Sequence, residues 1–340
     1  MIYGYDPVIG RLETVTQGTR QFKYSYETGK PSPLPQLFTR PEGHYSSYGY
    51  NIFGQLASIA NKNSSNQVID ARTFTYKDNG SDLIATEEIT NGLTAPVKQG
   101  ADSYDYNLLN QLLKTKNLGQ LFSYDADGNM VKGYTSGGFP FNASYDAQNR
   151  LTSISFTDGD GIAKRTEYLY AGDSLISRTR EYAGNVLTSD TQFLRSGLLP
   201  LQERDGSNTV TRSYLWNPQA PGGIGGLLGM KENNKNYTYL YDGNGNVTTV
   251  LDDTQNVAAL YGYQPFGEPT FKGGALDQPY RFSTKRYDEN TGLSYYGYRF
   301  YNPTIGRWMN RDPLGFGGGD LNLYGMVGQN PGNWVDPEGL

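Results

Sequence analysis

The chain has 340 residues, a formal net charge of −5 with both signs mixed along its length, no Cys and a single His, His44. The absence of Cys excludes disulfides and thiolate chemistry, and a single His excludes His-rich metal sites and a relay of several histidines. No basic stripe of the kind that binds nucleic acid is present, and no segment approaches the ~20 apolar residues of a membrane span. The 29 Tyr and 43 Gly, with only 36% hydrophobic residues, predict many short strands joined by tight turns.

The N-terminal segment has neither the positively charged region nor the apolar region of a signal peptide. Repeat-like sequence follows Met1 at once, with Tyr5 and Asp6 and then Gly10, Arg11 and Leu12. We therefore expect the start to be a reading-frame boundary rather than the natural edge of a domain.

Five stretches are variants of one heptad, Tyr-Asp/Asn-x-x-Gly/Asn-(Asn/Gln/Arg)-apolar. They begin at Tyr50, Tyr106, Tyr124, Tyr145 and Tyr241. A recurrence near twenty residues indicates a repeat architecture. In this heptad the Asp or Asn can bond its own backbone and the Gly or Asn tolerates positive φ, so each copy predicts the turn of a β-hairpin.

Alternating residues on both sides of the turn predict hairpins over Tyr237 to Leu251 and over Phe122 to Lys132. Tyr106–Lys116 is the one segment where we expect a turn or two of helix. The run Gly222–Gly229 lacks the Gly-Lys-Ser/Thr ending of a phosphate loop, so we interpret it as close backbone packing or a tight turn. His44 has no partner motif and is interpreted as a loop or strand residue.

Four phrases stand out near the C-terminus: YRFSTKRYD from Tyr280, TGLSYYGYRFYNP from Thr291, GRWMNRDPLG from Gly306 and NWVDPEGL from Asn333. With the heptads, these phrases resemble the rearrangement-hotspot (Rhs) or YD-repeat family, which also includes the C component of insecticidal Tc toxins. The resemblance implies an all-β fold: a spiralling shell of YD-repeat hairpins with a compact C-terminal Rhs core. We predict a YD-repeat shell over residues 1–213 and the Rhs core with a self-cleavage region over 214–340.

Family shells are usually far longer than this chain. The resemblance therefore implies part of a shell, completed by a second chain, by oligomerisation or by sequence outside these residues. In the family the shell encloses a C-terminal toxin. The implied partners are thus the protein's own cleaved toxin, possible further shell chains and a delivery machinery, with export by a dedicated secretion system.

The chemistry of self-cleavage can be considered from the residues alone. Hydrolysis of a peptide bond needs an activated water and a proton donor for the leaving nitrogen. With no Cys and one remote His, paired carboxylates are the most plausible means, because two close Asp side chains can share one proton. Asp312 and Asp336 are the candidates, and Arg299 can hold a carboxylate or position a carbonyl.

Alternatives remain open for each of these residues. An Asp followed by Pro also begins a common type I turn, so either Asp can be a turn residue only. Arg299 can instead stack on Tyr295, Tyr298 or Trp308. Arg311 is another possible partner for Asp312.

The resemblance to the family assigns Asp312 and Asp336 as the protease dyad and Arg299 as its associated arginine. It also implies that the Asp-Pro-x-Gly-Leu phrase ends the core and is cut directly after its last residue. Here the phrase contains Pro337 and Gly339 and ends at Leu340. The cleavage would act once, in cis, with no cofactor and no metal.

A second function class is a non-catalytic YD-repeat module for structure or adhesion, whose Tyr-rich faces bind carbohydrate or protein. A multi-turnover hydrolase is disfavoured because the sequence has no nucleophile elbow, no metal motif and no complete Ser-His-Asp set. Cutting of a chain extended past residue 340 distinguishes the first two classes.

Overall fold

A computed structural model describes residues 1–78, 81–94, 103–115 and 120–340 of the chain. The fold is all-β, as predicted, and within these residues the only helices are four short 3-10 turns. None of the helices found there is long and apolar enough to cross a membrane.

The strands follow one another in short hairpins. They are Ile2–Tyr5 (β1), Leu12–Gln17 (β2), Arg20–Tyr26 (β3), Pro35–Thr39 (β4), Tyr45–Tyr50 (β5), Leu56–Lys62 (β6), Val68–Tyr76 (β7), Ile84–Thr90 (β8), Tyr104–Tyr106 (β9), Leu112–Thr115 (β10), Gln120–Leu121 (β11), Ser123–Tyr124 (β12), Met130–Tyr134 (β13), Pro140–Tyr145 (β14), Leu151–Thr157 (β15), Ala163–Tyr170 (β16), Ile176–Ala183 (β17), Val186–Ser196 (β18), Leu199–Arg204 (β19), Val210–Trp216 (β20), Leu227–Glu232 (β21), Lys235–Tyr241 (β22), Val247–Asp252 (β23), Val257–Tyr263 (β24), Pro269–Gly274 (β25), Arg286–Asp288 (β26), Leu293–Tyr295 (β27), Phe300–Asn302 (β28) and Arg307–Trp308 (β29). The 3-10 turns are Pro221–Gly223, Phe282–Thr284, Gly315–Gly318 and Val327–Gln329.

The chain divides into two compact units that are each discontinuous in sequence. The first unit contains Met1–Ala95, Leu215–Gly262 and Thr270–Thr284. Its strands β1 to β8 pair antiparallel in chain order, and β21 to β24 form a second antiparallel run. One core cluster of this unit consists of Leu12, Val15, Phe22, Phe38, Leu215 and Leu228.

The second unit contains Pro96–Tyr214, Tyr263–Pro269 and Lys285–Leu340. Antiparallel pairing runs from β12 to β20, and β26 to β29 form a separate small sheet in chain order. In the core of this unit the small sheet packs against the strands of the longer antiparallel run. Leu293, Phe300 and Met309 are buried in the same cluster as Ile154 and Ile176. The predicted boundary between residues 213 and 214 stays a prediction about domains.

Each heptad turn is held by its own Asp or Asn. In the heptad that begins at Tyr124, the Asp125 side chain accepts the N–H of Asn129 at 2.9 Å. In the next heptad, Asp146 accepts the N–H groups of Gln148 and Arg150 at 2.9 and 3.0 Å. The fifth position takes positive φ, as at Asn149 with φ 60°. This local chemistry explains why the repeat can be recognised from sequence.

Two tyrosines that end strands, Tyr145 of a heptad and Tyr170, bond the closing residue of the preceding heptad. Tyr145 donates its hydroxyl to the carbonyl of Met130 at 3.0 Å, and Tyr170 donates to that of Leu151 at 2.7 Å. Met130 and Leu151 are the apolar residues that close the preceding heptads. At these two places the last residue of a heptad supplies the acceptor and the tyrosine of a later strand supplies the donor, which links successive hairpins.

Both predicted hairpins are confirmed, since β22 pairs with β23 and β12 pairs with β13. The expectation of helix over Tyr106–Lys116 is wrong: β9 and β10 form a hairpin there, and Lys116 lies outside the described residues. The reason is that Asn107 accepts the N–H groups of Leu109 and Gln111 and closes a heptad turn.

The interpretations of the Gly run and of His44 are also confirmed. Gly225 lies against Gly245, where an added Cβ on Gly245 would be 2.8 Å from the Gly225 nitrogen. His44 precedes β5 and is fully buried, with its Nε2 2.8 Å from the Thr238 hydroxyl.

Candidate functional site

Arg299 lies in the turn that joins β27 to β28 in the second unit. Tyr296 and Arg299 close this turn, with the Tyr296 N–H donating to the Arg299 carbonyl at 3.1 Å. The Arg299 guanidinium stacks over the ring of Trp308, 4.3 Å from its centroid, and only 3% of the residue is exposed. Tyr296 and Tyr301 pack edge-on against Trp308, so an aromatic wall fixes the guanidinium.

Asp312 and Asp336 converge on one nitrogen of Arg299. Nη2 lies 3.3 Å from Oδ2 of Asp312 and 3.9 Å from Oδ2 of Asp336. Nη1 donates to the Leu323 carbonyl at 3.3 Å. A buried guanidinium with two carboxylates on the same edge is the arrangement that brings a carboxylate pair together in spite of its mutual repulsion.

Both Asp residues also form the turns that their Asp-Pro sequence predicts. The Oδ1 atom of Asp336 accepts the N–H groups of Glu338 at 3.0 Å, Gly339 at 2.6 Å and Leu340 at 3.4 Å. Asp312 accepts the N–H of Leu314 at 2.8 Å through Oδ1. The turn role and the paired-carboxylate role use different oxygens, since Oδ2 faces Arg299 in both residues.

Three consecutive carbonyls of the Asp-Pro-Glu-Gly-Leu phrase are each bound by a different donor. Lys285 Nζ donates to the Pro337 carbonyl at 2.6 Å, and the backbone N–H of Tyr298 donates to the Glu338 carbonyl at 3.0 Å. Arg299 Nε donates to the Gly339 carbonyl at 2.7 Å. We call Lys285, the Tyr298 N–H and Arg299 Nε the carbonyl clamp.

Two glycines permit the phrase to pack this closely. Gly339 has φ +79°, and a Cβ there would lie 3.0 Å from the Tyr296 Cβ and 3.2 Å from the Arg299 nitrogen. Gly297 has φ +120°, and its Cβ would lie 3.1 Å from the Glu338 carbonyl oxygen. Any side chain at either position would strain the backbone and separate the phrase from the turn that binds it.

Burial perturbs both cations of the site. Burial lowers the pKa of Lys285 to about 8, against the opposing attraction of Asp336 and Glu338. Burial also lowers the pKa of Arg299, and Asp312 and Asp336 act against that change. The predicted sharing of one proton between the two carboxylates stays a prediction.

The structure brings together Arg299, Asp312, Asp336, Pro337 and Gly339, and the N–H of Leu340 joins them through Asp336. The stacking alternative for Arg299 also holds, on Trp308. The alternative partner Arg311 lies against Gly128. Sequence reasoning missed Lys285, although this residue lies within the phrase YRFSTKRYD; nothing local to it points to a residue so far along the chain.

Across 1–78, 81–94, 103–115 and 120–340 no cluster of three or more His, Asp and Glu is arranged to hold a metal ion.

The model of the Teneurin YD-shell family matches residues 36–177 and 222–322. Among curated proteins, the chain is 33% identical over 254 residues to the tRNA3(Ser)-specific nuclease WapA of Bacillus spizizenii, across 72% of this chain and 10% of that protein. It is 29% identical over 346 residues to the double-stranded DNA deaminase toxin A of Burkholderia cenocepacia, across 90% of this chain and 23% of that protein.

Among solved structures, the crystal structure of TcdB2-TccC3-Cdc42 resembles the chain with a TM-score of 0.70 and 19% identity. The likeness covers 99% of this chain and 20% of that chain, and it concerns the fold. This chain therefore spans less than a quarter of the length of each of these three proteins.

Proposed function

Because the chain belongs to the Teneurin YD-shell family, we propose that it forms part of the wall of a toxin-enclosing shell and cuts its own polypeptide once, directly after Leu340. The observation that carries this proposal is the convergence of Asp312 and Asp336 on Arg299 beside the clamped phrase. A shell that must later free its cargo needs one cut at a fixed place, and a chain segment held by hydrogen bonds at three successive carbonyls provides that place.

The reaction is hydrolysis of the peptide bond that follows Leu340. The ionised member of the Asp312–Asp336 pair acts as the base and takes a proton from a water molecule. The water oxygen bonds to the Leu340 carbonyl carbon, the carbon–nitrogen bond breaks, and the protonated member of the pair gives its proton to the leaving nitrogen.

The cut occurs once per chain. The substrate is the chain's own phrase, and the clamp contacts on Pro337, Glu338 and Gly339 all lie on the N-terminal side of the bond. These contacts survive the reaction, so the new C-terminus stays in the site and blocks further substrates. The proposed protease is therefore a single-turnover device.

The released segment is proposed to be a toxin. Two relatives are named as a tRNA nuclease and as a DNA deaminase toxin, and both are far longer than the matched region. The proposed partners are this toxin, further shell chains and a delivery machinery, and the proposed location is outside the producing cell.

The experiment uses the natural polypeptide with a reporter domain joined directly after Leu340. Asp312→Asn and Asp336→Asn each keep the shape and the turn-forming oxygen but cannot exchange the proton. We expect both variants to stay uncut by intact mass. Asp205→Asn is the matched control, because Asp205 also accepts two turn N–H groups, and it should be cut normally.

Cutting of both site variants at the wild-type rate would exclude the dyad. Circular dichroism of the uncut variants should match that of wild type, which shows that the defect lies in the reaction rather than in folding.

A non-catalytic binding module is the second candidate. It is favoured by apolar side chains exposed at the tips of two heptad turns, Ile52 with Phe53 and Leu108 with Leu109. For this candidate the wild-type chain with its reporter should remain uncut at every pH.

A further inference from the structure

Lys285 is buried at an unusual place for an ammonium group. It directly precedes β26, is 5% exposed, and its Nζ lies 5.2 Å from the centroid of the Tyr296 ring. Its hydrogen bond to the Pro337 carbonyl is short, at 2.6 Å. Burying an ammonium is costly unless its contacts compensate, so these contacts with the phrase and the aromatic wall are its compensation.

The carbonyl clamp fixes the path of the Asp-Pro-Glu-Gly-Leu phrase by binding three successive backbone carbonyls. Lys285, the Tyr298 N–H and Arg299 Nε bind the carbonyls of residues 337, 338 and 339 in order. The next carbonyl is that of Leu340, which the proposed reaction attacks. Small misplacements of a reacting group reduce rates strongly. The hydrogen bond from Lys285 to the Pro337 carbonyl therefore affects the rate through the position of the Leu340 carbonyl.

We propose that Lys285 is a positioning residue of the self-cleavage site, holding the Pro337 carbonyl and setting its positive charge beside Asp336. This inference rests on the proposed function. Lys285 acts through the phrase, whose Pro337 carbonyl it binds, and through Asp336.

Asp336 and Glu338, both on the phrase itself, attract the Lys285 ammonium and act against the lowering of its pKa. Burial lowers the pKa of Lys285 to about 8, so the ammonium loses its charge within the range where proteins stay folded. Loss of the charge weakens the hydrogen bond to Pro337 and removes a cation from the surroundings of Asp336. Cleavage should therefore slow as the pH rises through about 8.

The test measures cleavage rates of the natural polypeptide with a reporter domain after Leu340. Uncut precursor is held in denaturant and diluted into buffers from pH 6 to pH 10, and intact mass follows the cut with time. Lys285→Met keeps the apolar stem and should cut at least about tenfold more slowly at pH 7. Lys132→Met, on an exposed strand position, is the control and should match wild type.

The pH profile separates positioning from folding. Wild type should slow above pH about 8, whereas Lys285→Arg keeps its charge and should not slow in that range. Wild-type rates in Lys285→Met, or the same profile in wild type and Lys285→Arg, would overturn the inference. If Asp312→Asn and Asp336→Asn remain uncut while Lys285→Met behaves as wild type, only the role of Lys285 fails.

Discussion

The guanidinium of Arg299 contacts two carboxylates, two backbone carbonyls and one aromatic ring. The planar guanidinium suits these acceptors, because Nε, Nη1 and Nη2 each donate to a different one. A lysine side chain has a single nitrogen and can bind only some of these acceptors. The site is therefore organised around one residue rather than around the pair of acids alone.

Arg299→Lys keeps the charge and loses the fork. We expect at least about a hundredfold slower cleavage, because both the Gly339 carbonyl and the carboxylate pair lose their fixed partner. The measurement is the rate of reporter release by intact mass. Arg165→Lys, at a half-exposed ion pair with Glu167, is the matched control, and equal loss of activity in both variants would contradict this role.

His44 predicts a pH dependence of stability in the first unit. Burial lowers its pKa to about 3, with Arg40 and Arg20 adding to the effect, so folding favours the neutral ring. The stabilisation is complete above the unfolded pKa of ~6.5 and is lost as the pH falls from there towards 3. From pH 7.5 to pH 5 the free energy of unfolding should fall by about 2 kcal/mol through His44.

Urea unfolding at the two pH values measures this fall. His44→Gln has no titrating group and should be less stable than wild type at pH 7.5 but lose less stability on acidification. An equal loss in the variant would show that other groups cause the acid sensitivity.

At the scale of the elements, the heptad turn and its Tyr link explain how short strands form a stable stack. The Tyr145 hydroxyl spans to the Met130 carbonyl of the preceding hairpin. The corresponding bond recurs in the first unit, where Tyr76 donates to the Leu56 carbonyl at 2.9 Å. Each link adds a hydrogen bond between repeats without requiring a long apolar strand.

Tyr145→Phe removes one link and keeps the ring. We expect a loss of about 1–2 kcal/mol in the free energy of unfolding, because a largely buried acceptor loses its donor. Tyr106→Phe, at a heptad tyrosine that is 46% exposed, should cost less than about 0.5 kcal/mol. Thermal unfolding of the two variants gives the comparison, and similar losses would argue against the link.

The heptad turns could be predicted from sequence because their hydrogen bonds are local. Asp146 bonds atoms two and four residues ahead, and the required residue types lie in the same seven positions. The expectation of helix at Tyr106 was wrong because the hydrogen bonds of the Asn107 turn, which belong to the same heptad chemistry, determine the structure of that segment. The Tyr links were not predicted, since their acceptors lie about fifteen residues earlier on another strand.

Some residues of the candidate site could be predicted from the sequence and others could not. Asp312, Asp336 and Arg299 could be selected because the family resemblance marks their phrases, and the chemistry of hydrolysis requires such groups. That they meet on a single guanidinium nitrogen depends on tertiary folding of the segment between them. Lys285 could not be selected, because its acceptor is a backbone carbonyl that carries no signal in the sequence.

At the scale of the whole molecule, the chain is a YD-shell segment made of two compact hairpin units. The relatives it matches are several times longer than this segment, and we propose closure around a cargo only for a shell larger than these 340 residues. All the residues of the proposed self-cleavage site, Lys285, Arg299, Asp312 and Asp336 among them, belong to the second unit.

The most direct measurement is the intact mass of the natural polypeptide carrying a reporter domain immediately after Leu340. We predict two products, one ending at Leu340 and one beginning with the first reporter residue, formed in equal amounts without any added protease. A single uncut species that is folded by circular dichroism would contradict this prediction, as would a break at any other bond.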